Sequence, residues 1–229
     1  MTSFVHGSRT DIVFGGKILS GYFNSASFSR TRDTAETTTF KKTTKTYIPG
    51  LQDNTLSLEG FVTKDLDDAE ERLHDLISVP EGLVSYFPAG IENGAAGYSL
   101  WAVENSYEVN SEIGDAVKVS AEFQGSRAFQ LGYVVANGSA ASPSTGIAGP
   151  IGAANAEATA AIQVANVATA LLYSFQDSAD GTTWADVAGT SVSANLIGGY
   201  TMTAPSVRRH VRVKWTGNGT HTILLTRAN

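Results

Sequence analysis

The residues that could do chemistry in this chain are few and scattered. Its four histidines, His6, His74, His210 and His221, lie far apart, and none has a partner at metal-ligand spacing. Five acids, Asp65, Asp67, Asp68, Glu70 and Glu71, crowd one stretch. A calcium loop needs acids at alternating positions around a turn glycine. Here the spacing instead places them on the polar face of a helix. "GSRTDIVFGG" and "GIAGPIGAANA" contain glycines without the spacing that cradles a phosphate. Trp101, Trp184 and Trp215 could line a sugar site, but each sits in an alternating strand pattern that favours core packing. No nucleophile–base pair is visible, so the residues point away from an enzyme and ask for no cofactor or metal.

Composition narrows the class. There is no cysteine among 229 residues, which removes disulfides, thiolate catalysis and cysteine zinc sites. Residues 1–130 carry 11 Lys+Arg against 18 Asp+Glu, a net of −7, and residues 131–229 carry 5 against 4, a net of +1. An acidic first half argues against tight nucleic-acid binding, which needs clustered cations. No stretch approaches the ~20 apolar residues that span a bilayer, and "MTSFVHGSRT" lacks the pattern of a signal peptide. A cytosolic start without membrane insertion is the expectation.

The elements that would position these residues are mostly strands. Tyr22, Ala26 and Phe28 share a face near residues 20–30. A Pro-Gly corner at 49–50 precedes a strand carrying Leu56, Leu58 and Val62, in which Gly60 suggests a bulge or a close backbone approach. "YSLWAVENSYEV" (98–109) should pair with the strand of Val117, Val119, Ala121 and Phe123. One helix is expected from Asp65 to Ser78. Leu66, Ala69, Leu73, Leu76 and Ile77 form its apolar stripe, and Pro80 ends it.

The uncharged, Gly/Ala/Ser/Pro-rich segment 136–155 has the composition of a linker. It divides the chain into 1–135 and 156–229. The second part reads as short strands at 158–164, 169–176, 182–187, 196–203, 207–215 and 220–227, a small antiparallel β-sandwich. Asp180-Gly181 and "GNGT" (217–220) mark its hairpins, and Asn137-Gly138 is read as another turn.

One segment fits no core. "RTRDTAETTTFKKTTKTY" (30–47) is Thr-rich and β-prone, and only Phe40 in it could be buried. Two readings stand. It is a mobile loop, or a ribbon whose edge and charges are satisfied by a neighbouring copy.

In order, "GGKILSGYFNSASF" (15–28), "DTAETTTF" (33–40), "KTYIPGLQDNTLSLEGF" (45–61), the helix and "IGDAVKVSAEFQGS" (113–126) resemble the major tail proteins, or tail tube proteins, of long-tailed bacteriophages. "LLYSFQDSADGTTWADV" (171–187) and "RRHVRVKWTGNGTHTILLTR" (208–227) resemble the Ig-like C-terminal domain attached to some of them. A glycine often follows the Thr-rich stretch in that family, where this chain has Lys41. The resemblance implies a mainly β protein: a tail-tube β-sandwich or half-barrel at 1–135 with one flanking α-helix, and an Ig-like sandwich at 156–229 on the tube exterior. It implies hexameric rings stacked into a tube that conducts DNA without binding it specifically, through a carboxylate-lined lumen. Implied partners are the tape measure, terminator and distal tail proteins. The implied location is the virion tail, with assembly in the host cytoplasm. Phe4, Arg30, Arg32, Asp33, Glu36, Phe40, Lys41, Lys42 and Lys45 are the expected subunit interface. The rival readings are a tail terminator or distal tail protein of the same fold, and a carbohydrate-binding β-sandwich module.

Overall fold

A computed structural model describes residues 6–62, 73–74, 77–127, 129–140, 144–149 and 152–227. Its strands are β1 (Asp11–Phe14), β2 (Lys17–Ile18), β3 (Phe23–Glu36), β4 (Tyr47–Phe61), β5 (Gly82–Phe87), β6 (Ala96–Asn110), β7 (Lys118–Gly125) and β8 (Gln130–Ala140). They continue with β9 (Ser144–Thr145), β10 (Ala156–Val167), β11 (Leu171–Ser178), β12 (Ala185–Asp186), β13 (Val192–Ala194), β14 (Gly198–Val207), β15 (His210–Thr216) and β16 (Gly219–Arg227). The protein is mainly β, with antiparallel sheets, as its alternating sequence requires.

The chain forms two compact units. The larger holds Met1–Gly21, Gly82–Trp101 and Ala128–Asn229; the smaller holds Tyr22–Glu81 and Ala102–Arg127. This division corrects the boundary expected at 136–155. That segment contains the end of β8 and all of β9. Its described backbone is bonded to the rest of the unit: Gly146 N–H donates to the Val213 carbonyl, Ile147 to Val135 and Gly149 to Val211. A Cβ added at Gly146 would lie 2.7 Å from the Val135 oxygen, and one at Gly149 would lie 2.4 Å from a Leu225 methyl. Its small residues serve close packing rather than freedom of the backbone.

In the larger unit, β14–β10–β16–β8 faces the sheet β12–β11–β15–β9, with β13 on β11. Inward side chains at alternate positions, among them Ile162, Val164, Tyr173, Phe175, Val213 and Ile223, fill the space between the two. β10 is buried on both faces from Ala158 to Val164. Ala161, on its other face, joins Val13, Leu83, Phe87, Val134 and Leu224 in a second cluster. β1, β5 and the last strands thus share one core. Gly217 and Asn218 turn between β15 and β16, as expected, whereas Asn137-Gly138 lies within β8, opposite Thr222 and His221.

In the smaller unit the order is β3–β4–β7–β6, antiparallel throughout. Gly60 is a close approach: a Cβ there would sit 2.1 Å from the Tyr22 oxygen, and the β3–β4 register shifts beside it. Val62 and Val117 fall just outside their strands, joined by a 3.0 Å backbone bond. Most of the expected helix 65–78 lies outside the described residues. Leu73 is helical and fully buried, whereas Ile77 is 54% exposed in a turn and does not extend the buried stripe.

Candidate assembly surfaces

Two surfaces of the smaller unit stand out, and both follow from strand alternation. On β4, β7 and β3 the residues of one phase are apolar. Leu56, Leu58, Val119, Ala121 and Phe123 are buried, and Ala26 and Phe28 are half-buried. The opposite phase is polar. Ser25, Glu59, Ser120 and Glu108 form one row across the four strands, and Ser27, Ser57, Glu122 and Ser106 the next. This face therefore presents three carboxylates among small hydroxyls. Among the described residues its one cation, Lys118, donates to Asp115 at 2.8 Å, and that contact lowers the Asp115 carboxyl below the ordinary range. A groove of about 390 Å³ lies between Glu59, Glu108 and Lys118.

The second surface is the far part of the β3–β4 hairpin. β7 pairs with β4 only from Thr55 onward. Beyond that point, from Thr31↔Asp53 to Glu36↔Tyr47, the two strands pair only with each other among the described residues, and the Gln124 side chain of β7 reaches back to Asp53. All residues from Ser29 to Asp53 are exposed. Such a two-stranded ribbon is marginal in water on its own. Here it is held by local contacts. Arg30 donates to the Gln52 side chain at 2.8 Å, Arg32 to the Gly50 carbonyl at 3.2 Å, and Lys45 to Glu36 at 3.1 Å.

The expected interface residues are thus collected on this ribbon, with one exception. Arg30, Arg32, Asp33 and Glu36 line β3. Phe40, Lys41 and Lys42 form the tip, and Lys45 follows it. Phe4 lies outside the described residues. Phe40 is 100% exposed. Lys41 adopts φ 71°, the left-handed conformation that a glycine would take without steric cost. Pro49-Gly50 is no corner: Pro49 sits in β4 opposite Thr34, next to a register shift. A proline fits there because the ribbon has open edges. The sequence reading missed Tyr47, Ile48 and Leu51, which are 53%, 54% and 82% exposed. The signal was present as three apolar residues among polar ones on a ribbon with no core of its own.

The histidines do not converge. His221 is buried between the rings of Tyr173 and Trp215, with Nδ1 3.1 Å from the tyrosine oxygen. Burial lowers its pKa to about 4, so it is neutral. His6 accepts the Ser8 N–H. Among the described residues no three His, Asp or Glu side chains cluster as metal ligands, and no helix is long and apolar enough to cross a membrane.

No family model and no curated protein matches the sequence. Solved structures do resemble the fold. A chain of the virion of a native gene transfer agent particle aligns over 56% of this chain and 98% of its own, with 11% identity and a TM-score of 0.48. The SPP1 tail tube aligns over 53% of this chain and 76% of its own, with 12% identity and a TM-score of 0.44. The SPP1 Dit protein aligns over 96% of this chain and 99% of its own, with 12% identity and a TM-score of 0.40.

Proposed function

We propose that this chain is the subunit of a phage-type tail tube. The observation that carries the reading is the four-stranded sheet of the smaller unit, with β3 and the Ala102–Asn110 stretch of β6 as its edges. Those edges run antiparallel to one another, because four strands in strict alternation end on opposite directions. β3 of one copy can therefore pair with β6 of the next and continue the alternation. A repeated contact between two different surfaces closes into a ring, here of six copies. The apolar phase keeps the core of each subunit, and the phase carrying Glu59, Glu108 and Glu122 lines the lumen. Carboxylates there repel DNA phosphates, so the genome passes without sticking. The exposed ribbon, with Phe40, Tyr47, Ile48 and Leu51, contacts the neighbouring ring. The sandwich of the larger unit is the Ig-like part. The role is structural, no bond is made or broken, and the location is the virion tail, with tape measure, terminator and distal tail proteins as partners.

Negative-stain microscopy of the purified protein tests this reading. Hollow tubes of stacked rings are expected. Single rings that never stack would favour a terminator or distal tail protein, and a monomer under all conditions would overturn the proposal.

A further inference from the structure

We infer that the outward face of the five-stranded sheet in the larger unit carries an oxyanion-binding groove for the phosphate or carboxylate groups of an anionic polysaccharide. β11 and β15 alternate strictly. Tyr173, Phe175, Val211, Val213 and Trp215 point into the core, so Gln176, Arg212 and Lys214 point out. Gln176 stands opposite both Asp186 and Arg212 in the sheet, and Lys214 stands opposite Thr145.

These side chains hold one another in place. The Arg212 guanidinium lies 4.3 Å from the centroid of the Trp184 ring, and its Nε donates to Gln176 Oε1 at 2.9 Å. Gln176 Nε2 in turn donates to Asp186 at 2.6 Å, and Lys214 Nζ donates to the same carboxylate at 3.1 Å. Stacking and one hydrogen bond fix the plane of the guanidinium, and both use positions other than its terminal fork. The two Nη nitrogens of Arg212 have no hydrogen bond among the described residues. A pre-oriented fork with free donors suits a carboxylate or phosphate oxygen pair, because little rotamer freedom is lost when the pair binds.

The fork opens on a groove of about 380 Å³ lined by Ser144, Thr145, Gln176, Arg212 and Lys214. Two cations against one carboxylate, Asp186, leave the site positive within a chain of net charge −6. Elsewhere in this unit Arg208 donates to Asp177, Arg227 donates to backbone carbonyls, and Arg9 pairs with Glu92. The hydroxyl of Thr145, which shares the outward phase of Lys214, suits the hydroxyls that flank the charge in a saccharide or polyol chain. Among the described residues no apolar side chain lines the groove, which disfavours a lipid surface. One short cationic site on an acidic chain disfavours nucleic acid, which requires many phosphate contacts.

The test is a titration of the full chain, in any assembly state, with poly(glycerol phosphate), oligogalacturonate, neutral dextran oligosaccharides and duplex DNA. The Trp184 indole resonance and calorimetry are the readouts. At least one of the two anionic polymers is expected to bind and shift Trp184, and which one binds assigns the phosphate or the carboxylate source. Arg212→Ala should weaken that binding at least tenfold. Arg212→Lys, which keeps the charge and loses the fork, should weaken it several-fold, with an unchanged melting temperature as the folding control. Equal binding of dextran, equal binding of DNA, no binding by either anionic polymer, or indifference to both substitutions would overturn the assignment. Because binding is read on the purified chain, a failure to form tubes leaves this result unaffected.

Discussion

The side-chain amide of Gln163 donates to the Leu83 carbonyl at 2.9 Å, joining residues 80 positions apart. The same side chain accepts the Gly16 N–H at 2.9 Å and donates to Ser85 Oγ at 2.9 Å. One buried amide on β10 therefore satisfies the turn after β1 and the strand β5. Without it, the Gly16 N–H would lose this acceptor, the Leu83 carbonyl would keep the Gly15 N–H at 3.5 Å, and Ser85 Oγ would keep Ser99 Oγ at 3.2 Å. Gln163→Leu is expected to destabilise the protein by about 2–4 kcal/mol in urea unfolding. A loss under ~0.5 kcal/mol would show that water replaces the amide at no cost.

A chain cut after Gly138 is expected to fail to fold its larger unit. It loses β10 and β16, and with them Ala161 and Leu224 from the cluster holding Val13, Leu83 and Phe87. Near-UV circular dichroism and solubility measure this. A soluble fragment with native-like aromatic signals would restore the idea of a separable C-terminal domain.

Deleting residues 33–44 is expected to leave a folded protein that cannot build long tubes. Every residue removed is exposed and pairs only within the ribbon. The melting temperature of the dispersed protein should change by no more than a few degrees. Tubes of normal length, seen by electron microscopy, would remove the ribbon from the assembly surface.

Glu104 should make the protein less stable as pH rises. Only 5% of it is exposed, and neither carboxylate oxygen has a partner among the described residues. Burial raises its pKa from 4.5 to about 8. The folded state therefore holds its proton where the unfolded state has released it, and stability falls between pH 4.5 and about 8. Glu104→Gln removes this linkage. The variant should match the parent near pH 4 and exceed it at pH 8 by about 1–3 kcal/mol. Parallel stability–pH curves would show that Glu104 is not the group responsible.

How much of this was legible in sequence differs by element. β11 and β15 were readable because each alternates over a single buried face. The ribbon was readable as a segment unable to bury itself, though its shape was not. The unit boundary was not readable, because Gly146 and Gly149 have the same composition whether they loosen a tether or admit a neighbouring backbone. Glu104 was hidden by the register shift between Glu104 and Ser106. A bulge reverses the phase of alternation, so Glu104 is buried while Glu108, four residues on, faces outward. The pairing of β1 with β5, and of β16 with both β8 and β10, depends on long-range register that no local pattern encodes.

The order of strands in the larger unit also sets a timetable for synthesis. Gly16 leaves the ribosome 147 residues before the Gln163 side chain that receives it, a wait of roughly 7–30 s at the usual 5–20 residues per second. β16, the sixteenth strand to be made, then enters between β10 and β8, in the middle of an existing sheet rather than at its edge. Each nascent chain therefore keeps that sheet open until β16 has been made. A chain interrupted before β16 is marked by a missing central strand, and so remains recognisable to proteolysis.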